Sequence, residues 1–232
     1  MVFGYPRDER SWATCEDLHL LASVYTLQHA GSGGERRYRL FAVASLRTVW
    51  DRLDDPRSRT AIEVAERHAD RSDGLALANG HRAAEAAVRE VEARTAPGDA
   101  RRDLFWAASA AALPTLDDGA ENIPTWAMVA AACSESVRPG SHNVPIGTYL
   151  SLFHDIIPNP FRPTRLDVAR LGPTAVGLAR RMYDSRDFTA MPVLGDALCD
   201  SGCDDAGVLA HCRDEGLHVR GCWVVDLILG RE

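Results

Sequence analysis

Six residues close together in the last part of the chain carry the side chains best suited to metal or thiol chemistry: Cys199, Cys203, His211, Cys212, His218 and Cys222. A structural zinc ion takes four nitrogen or sulfur ligands in a tetrahedron at roughly 2.0–2.3 Å. Cysteine supplies them as thiolate and histidine as neutral imidazole. Cys199 and Cys203 are four residues apart, as are His218 and Cys222, and that interval puts two side chains on one face of a helix. The metal reading selects Cys203, Cys212, His218 and Cys222 as ligands, with zinc as the ion.

Two features oppose that reading. There is no C-x-x-C knuckle, and Cys222 stands in an apolar setting, Gly221-Cys222-Trp223-Val224. Free Cys in such a place is commonly a small buried hydrophobe. On this second reading Cys212 and Cys222 pack in the core, while His211 and His218 cap helix ends or satisfy backbone carbonyls. A third reading is thiol catalysis, which requires a lowered thiol pKa and a nearby base. If the last segment is a helix, His218, Cys222 and Asp226 share one stripe. The nucleophile then lies between base and acid, which is the wrong order for a triad. All three readings stay open on the sequence, and no catalytic residue is assigned.

Other candidates have plainer readings. His154 and Asp155 are neighbours, and neighbours on a helix point apart, so they are expected as surface polar residues at a helix end. Glu63, Glu66 and His68 lack the Glu-x-x-His interval of a di-metal bundle. Gly31, Gly33 and Gly34 follow a helical pattern rather than a strand, so they form no phosphate loop. Asp54-Asp55 and Asp117-Asp118 read as turn and cap residues. Trp12, Trp50, Trp106, Trp126 and Trp223 are expected to anchor the core.

The elements that must position these residues read as helices throughout. Apolar residues at 3–4-residue intervals predict helices over 11–29, 35–53, 57–71, 75–94 and 99–113, with a further one from Pro124. Seven of the 12 prolines fall between Pro114 and Pro163. The run Ile157-Pro158-Asn159-Pro160-Phe161-Arg162-Pro163 excludes a regular helix there. It is expected as part of a connector that clasps the surface through Phe161. Shorter helices follow, over 174–184, 191–201 and 206–213. The last segment, 218–229, is rich in Val and Ile and is compatible with a strand, although a helix is expected from its neighbours.

Composition removes whole classes of function. All 26 basic side chains are Arg, and the chain has no Lys. A Schiff-base lysine and a phosphate-binding lysine are therefore excluded. The net charge of −7 opposes nucleic-acid binding, which calls for a basic face. No apolar run is long enough to cross a membrane, and the first dozen residues are too polar for a signal peptide. A cytoplasmic protein with reduced thiols is the expectation.

Three stretches of the C-terminal third are long and distinctive: NPFRPTRLD (159–167), LARRMYDSRDFTAMPVLGDALCDSGCDDAGVLAHCR (178–213) and HVRGCWVVDLILG (218–230). They resemble a tail shared by large sets of uncharacterised planctomycete proteins. RRYRLFAVASLRTVWDRLDDPRSRTAIEVAERHAD (36–70) resembles the first half of the same proteins. The resemblance implies a reused tail attached to different front ends, and it brings no catalytic residues. Members of that set carry several Cys in the region of 36–50. This chain has none there, with Val43 and Leu46 in the stretch, so a metal or redox role in that region is absent. Cys199 is also an addition to the usual tail pattern.

The sequence thus predicts an all-α protein, an irregular helical bundle with a helical body over 1–137, a Pro-rich connector over 138–163 and a compact helical C-terminal module over 164–232. The first expected function is a non-enzymatic interaction or regulatory module with a protein partner. The alternative is a zinc-stabilised or thiol-dependent enzyme centred on the Cys/His cluster.

Overall fold

A computed structural model of the chain describes residues 5–28, 34–113, 146–162, 164 and 166–231. They are helical, with no strand among them. In chain order the helices are α1 (Glu9–Ala13), α2 (Leu18–Gln28), α3 (Gly34–Arg47), α4 (Pro56–Arg71), α5 (Gly74–Arg94), α6 (Ala100–Ala111), α7 (Ile146–Ile156), α8 (Pro173–Ser185), α9 (Met191–Asp200), α10 (Ala206–Arg213) and α11 (Trp223–Leu229). Single 3-10 turns lie at Trp50–Arg52 and Val168–Arg170. No helix of the described residues is long and apolar enough to cross a membrane.

The chain divides into two compact units: Met1–Tyr5 with Cys15–Leu150, and Pro6–Thr14 with Ser151–Glu232. The first is built on α3 to α6. Asp55, Asp73 and Asp99 cap α4, α5 and α6, each accepting a backbone N–H of the first turn, which satisfies donors that a helix leaves unpaired. Leu40, Phe41, Leu46, Ile62, Leu77 and Leu104 are buried between them. α4 and α5 approach closely because small residues face one another: a Cβ added to Gly80 would lie 3.5 Å from Cα of Ala61.

Arg39 is the chief polar element of this core and is 1% exposed. Its guanidinium donates to the carbonyls of Ala111 (3.0 Å) and Leu113 (2.9 Å), and to Glu35 Oε1 at 2.6 Å. It therefore closes the C-terminal end of α6, where backbone carbonyls lack helical partners.

The second unit packs α8, α9, α10 and α11 around Met182, Tyr183, Leu194, Leu198, Val208, Val224, Val225 and Ile228. α9 meets α10 at Gly195, where an added Cβ would stand 3.1 Å from Cβ of Cys212. The short α1 belongs to this unit. Trp12 is 1% exposed, and its ring lies 5.8 Å from Phe153 and 6.3 Å from Phe161, centroid to centroid. Phe161 thus lies edge-on to the buried Trp12.

Four expectations change. The helix over 11–29 is two helices, because Asp8 caps α1 and Asp17 accepts from the N–H groups of His19 and Leu20 to start α2. The helix over 35–53 ends at Arg47, and Trp50 begins a separate 3-10 turn. The stretch 138–163 is not wholly a connector, since α7 forms in the proline-free interval between Pro145 and Pro158 and buries Tyr149, Leu152, Phe153 and Ile156. The last helix begins at Trp223 rather than 218.

The tryptophans divide. Trp12 is a core anchor, but Trp106 is 39% exposed and Trp50 lies beneath the guanidinium groups of Arg47 and Arg59 at 5.0 and 5.5 Å. The helix expected from Pro124, with Trp126 and Cys133, and the Asp117-Asp118 pair lie outside the described residues.

Replacing Arg39 with Leu removes the donor to the buried Ala111 carbonyl at the end of α6 and to the half-buried Leu113 carbonyl just beyond it, a loss of about 2–3 kcal/mol. Urea unfolding of Arg39→Leu is expected to give an unfolding free energy lower by that amount, read from a lower midpoint at unchanged slope. A shift below about 0.5 kcal/mol, the size of an ordinary surface substitution, would show that the guanidinium does not hold this end.

Candidate metal centre

The site is assembled from one helix end and two loop residues around a buried carboxylate. Asp155 lies in the last turn of α7 and is 3% exposed. Its Oδ1 is 2.7 Å from His218 Nδ1 and 3.1 Å from His211 Nε2. Its Oδ2 accepts the backbone N–H of Val219 at 2.9 Å. His211, in the last turn of α10, also places Nε2 3.2 Å from Cys222 Sγ. The ligand atoms of Asp155, His211, His218 and Cys222 all lie within 4.8 Å of one another.

The local chain explains the placement of the last two. The N–H of Cys222 donates to the carbonyl of Val219 at 2.9 Å, and Gly221 has φ of +101°. A left-handed third position is what a type II turn reserves for Gly. The turn folds His218 and Cys222 toward the same side. Cys222 is also the N-cap residue of α11, without a side-chain cap hydrogen bond.

Each ionisable group is a contest between burial and partner. Burial alone would raise the Asp155 pKa, yet the His211 and His218 imidazoles outweigh it and hold the carboxyl below its usual range. Burial alone would lower His218, and Asp155 outweighs it, so His218 lies above its usual value. Both shifts favour the charged forms, imidazolium against carboxylate. Burial, and then the Asp155 charge, push the Cys222 thiol well above its ordinary value. Burial pushes Cys212 up to about 12 and raises Cys203. None of these three is poised as a thiolate nucleophile.

The donor set is chemically suited to zinc. One carboxylate, one thiolate and two neutral imidazoles balance a divalent charge, which a buried site requires. Tetrahedral ligands at roughly 2.0–2.3 Å from an ion are about 3.3–3.8 Å apart. Three separations, 2.7, 3.1 and 3.2 Å, are shorter than this, and the group extends to 4.8 Å, so coordination calls for shifts of up to about 1 Å in both directions.

Of the residues selected from sequence, His218 and Cys222 join this group, and Cys203 and Cys212 stand outside it. Cys212 follows His211 on α10, and successive helical side chains diverge, so it enters the core against Gly195 while His211 enters the cluster. Cys203 lies beyond the end of α9 and Cys199 is exposed. The shared helical stripe of His218, Cys222 and Asp226 is not formed, because His218 precedes the helix.

Asp155 corrects its reading as a surface residue, and His211 adds a ligand. The divergence expected of His154 and Asp155 does hold: His154 turns to Trp12, ring centroids 6.0 Å apart. A signal for Asp155 exists in the sequence. It sits among Tyr149, Leu152, Phe153 and Ile156, on the apolar side of α7, where an unpaired carboxylate is too costly to keep. The five described cysteines are free of disulfides.

Comparison with protein-family models, with curated proteins and with solved structures gave no match.

An L side chain at the left-handed Gly221 position costs roughly 1–2 kcal/mol. Gly221→Ala is expected to lower the melting temperature measured by circular dichroism, and to disturb the chemical shifts of His218 more than those of His81 in the first unit. Equal melting of variant and parent would remove the turn from the account of the site.

Proposed function

We propose that the C-terminal unit is a zinc-stabilised, non-enzymatic module in which Asp155, His211, His218 and Cys222 hold one structural ion. The convergence of four ligand atoms within 4.8 Å carries this reading. The ion joins α7, α10 and the 214–222 loop in a unit whose last two helices are only eight and seven residues long. Short helices contribute little stability of their own, so a metal supplies what a small core lacks.

A structural rather than catalytic ion is supported by access. Catalytic zinc keeps an open coordination position toward substrate. A cavity of about 450 Å³ borders this region, walled in part by Trp12, His154, Arg162, Asp205, His211 and Trp223. Of the four ligands only His211 reaches it. The raised pKa values of Cys212 and Cys222 speak against the alternative of a thiol-dependent enzyme. An interaction role with a protein partner, in the reducing cytoplasm, follows from the resemblance of the tail to one reused among planctomycete proteins. Membership of that set is part of the same proposal.

Elemental analysis of the purified chain is expected to find one zinc per molecule, and chelation to lower the melting temperature. Asp155→Asn and Cys222→Ser are expected to lose the ion, while Cys203→Ser keeps it. A metal-free chain whose melting is unmoved by added zinc would sink the proposal.

Thiol labelling separates the enzymatic alternative. With brief alkylation of the native chain and peptide mapping, Cys199 is expected to react well before Cys212 and Cys222. Rapid selective loss of Cys222 would instead reveal an activated thiolate.

A further inference from the structure

The two imidazoles meet the same carboxylate oxygen, but their far sides are held by partners of opposite kind. His218 places Nδ1 against Asp155 and Nε2 3.3 Å from the carbonyl of Asp214. A carbonyl only accepts, so a proton belongs on Nε2, and Nδ1 is the nitrogen that can be given to a cation. His211 is arranged the other way. Its Nε2 faces Asp155 and Cys222, and its Nδ1 lies 3.2 Å from Nε1 of Trp223. An indole N–H only donates. His211 Nδ1 is therefore the acceptor, and the ring carries its proton on Nε2, the atom a metal needs bare.

We propose that Trp223 is a brake on metal binding at this centre, acting through the tautomer of His211. The inference rests on the zinc reading above. Coordination through Nε2 requires the proton there to leave and the ring, still neutral, to take one from solvent on Nδ1. Two N–H groups then face each other across the former hydrogen bond, and the indole must turn away. Space for that movement is adjacent, since the cavity beside the site borders both His211 and Trp223. Asp155 is a ready ligand, and His218 and Cys222 each have one proton to lose, as metal coordination requires; His211 must in addition give up the Trp223 bond. Trp223 is a positioning residue here and touches no ion itself.

The test uses the full chain with zinc alone as the probe. Zinc affinity is measured by competition with a chromogenic chelator for the parent and for Trp223→Phe, which keeps a ring and removes the donor. The variant is expected to bind roughly threefold to tenfold more tightly, the value of one ordinary hydrogen bond. In parallel, histidine ¹⁵N spectra of the parent are expected to show His211 protonated on Nε2 without metal and on Nδ1 with zinc.

Equal or weaker binding by a folded variant overturns the brake, as does a metal-free parent already protonated on Nδ1. If Trp223→Phe does not fold, the parent spectra decide alone. Failure of both proteins to bind zinc removes the zinc reading and the brake with it. Zinc binding without the tautomer change removes only the brake.

Discussion

A carboxylate buried to 3% exposure is the constraint around which the second unit is organised. An ionised carboxyl in an apolar interior is tolerated only when its charge is met by partners. Asp155 is met three times, by His211, His218 and the Val219 N–H. These partners come from a helix end and from the loop that follows it. The position of α7, the end of α10 and the course of residues 214–222 are all conditions for that one side chain to be buried. The apolar packing of α8, α9 and α11 supplies bulk stability, but it would accept many loop courses. The carboxylate accepts few.

The same carboxylate explains why the cluster is coherent with or without an ion. Asp155 favours the protonated form of His218, which sets positive charge beside it. Were zinc to bind as proposed, a divalent charge would replace that proton and the Cys222 thiol would ionise, as metal coordination requires. The arginine at the other end of the chain poses the reverse problem. Arg39 is a buried cation, and burial lowers its pKa while Glu35 opposes this. It is satisfied by the carbonyls that end α6 rather than by a cluster of side chains. In each unit, then, a buried charge has partners that tie together segments distant in sequence.

Helices were legible wherever local signals agreed. α4 follows from Asp55-Pro56 and an apolar stripe, and α6 begins beside Asp99; the Asp73 cap that starts α5 is seen only in the structure. Breaks inside apolar patterns were less legible. Residues 11–29 read as one periodic run, because the interruption is made by a second capping carboxylate, Asp17, whose hydrogen bonds leave the period unchanged. α7 was obscured by surrounding prolines, although the residues between Pro145 and Pro158 carry a strong apolar face. For the site, His218 and Cys222 were legible from residue type. For Asp155 the apolar side of α7 signals burial, but its partners are not legible, because two of them stand 63 and 64 residues away. His211 and Cys212 show the limit of residue type most directly: adjacent and both potential ligands, they are separated by a single step of helix rotation.

The bond between Asp155 and His218 spans 63 residues, and a cation held there turns that contact into a cross-link. Closing a loop of such length removes conformational freedom from the unfolded chain, by about 4 kcal/mol in the chain-entropy treatment used for disulfides. The described cysteines form no disulfide, so this staple would be of a different chemical kind. Reductants would leave it intact. Chelators and acid would open it, the first by removing the ion and the second by protonating its ligands. Resistance to unfolding in the second unit would then follow metal supply rather than redox state.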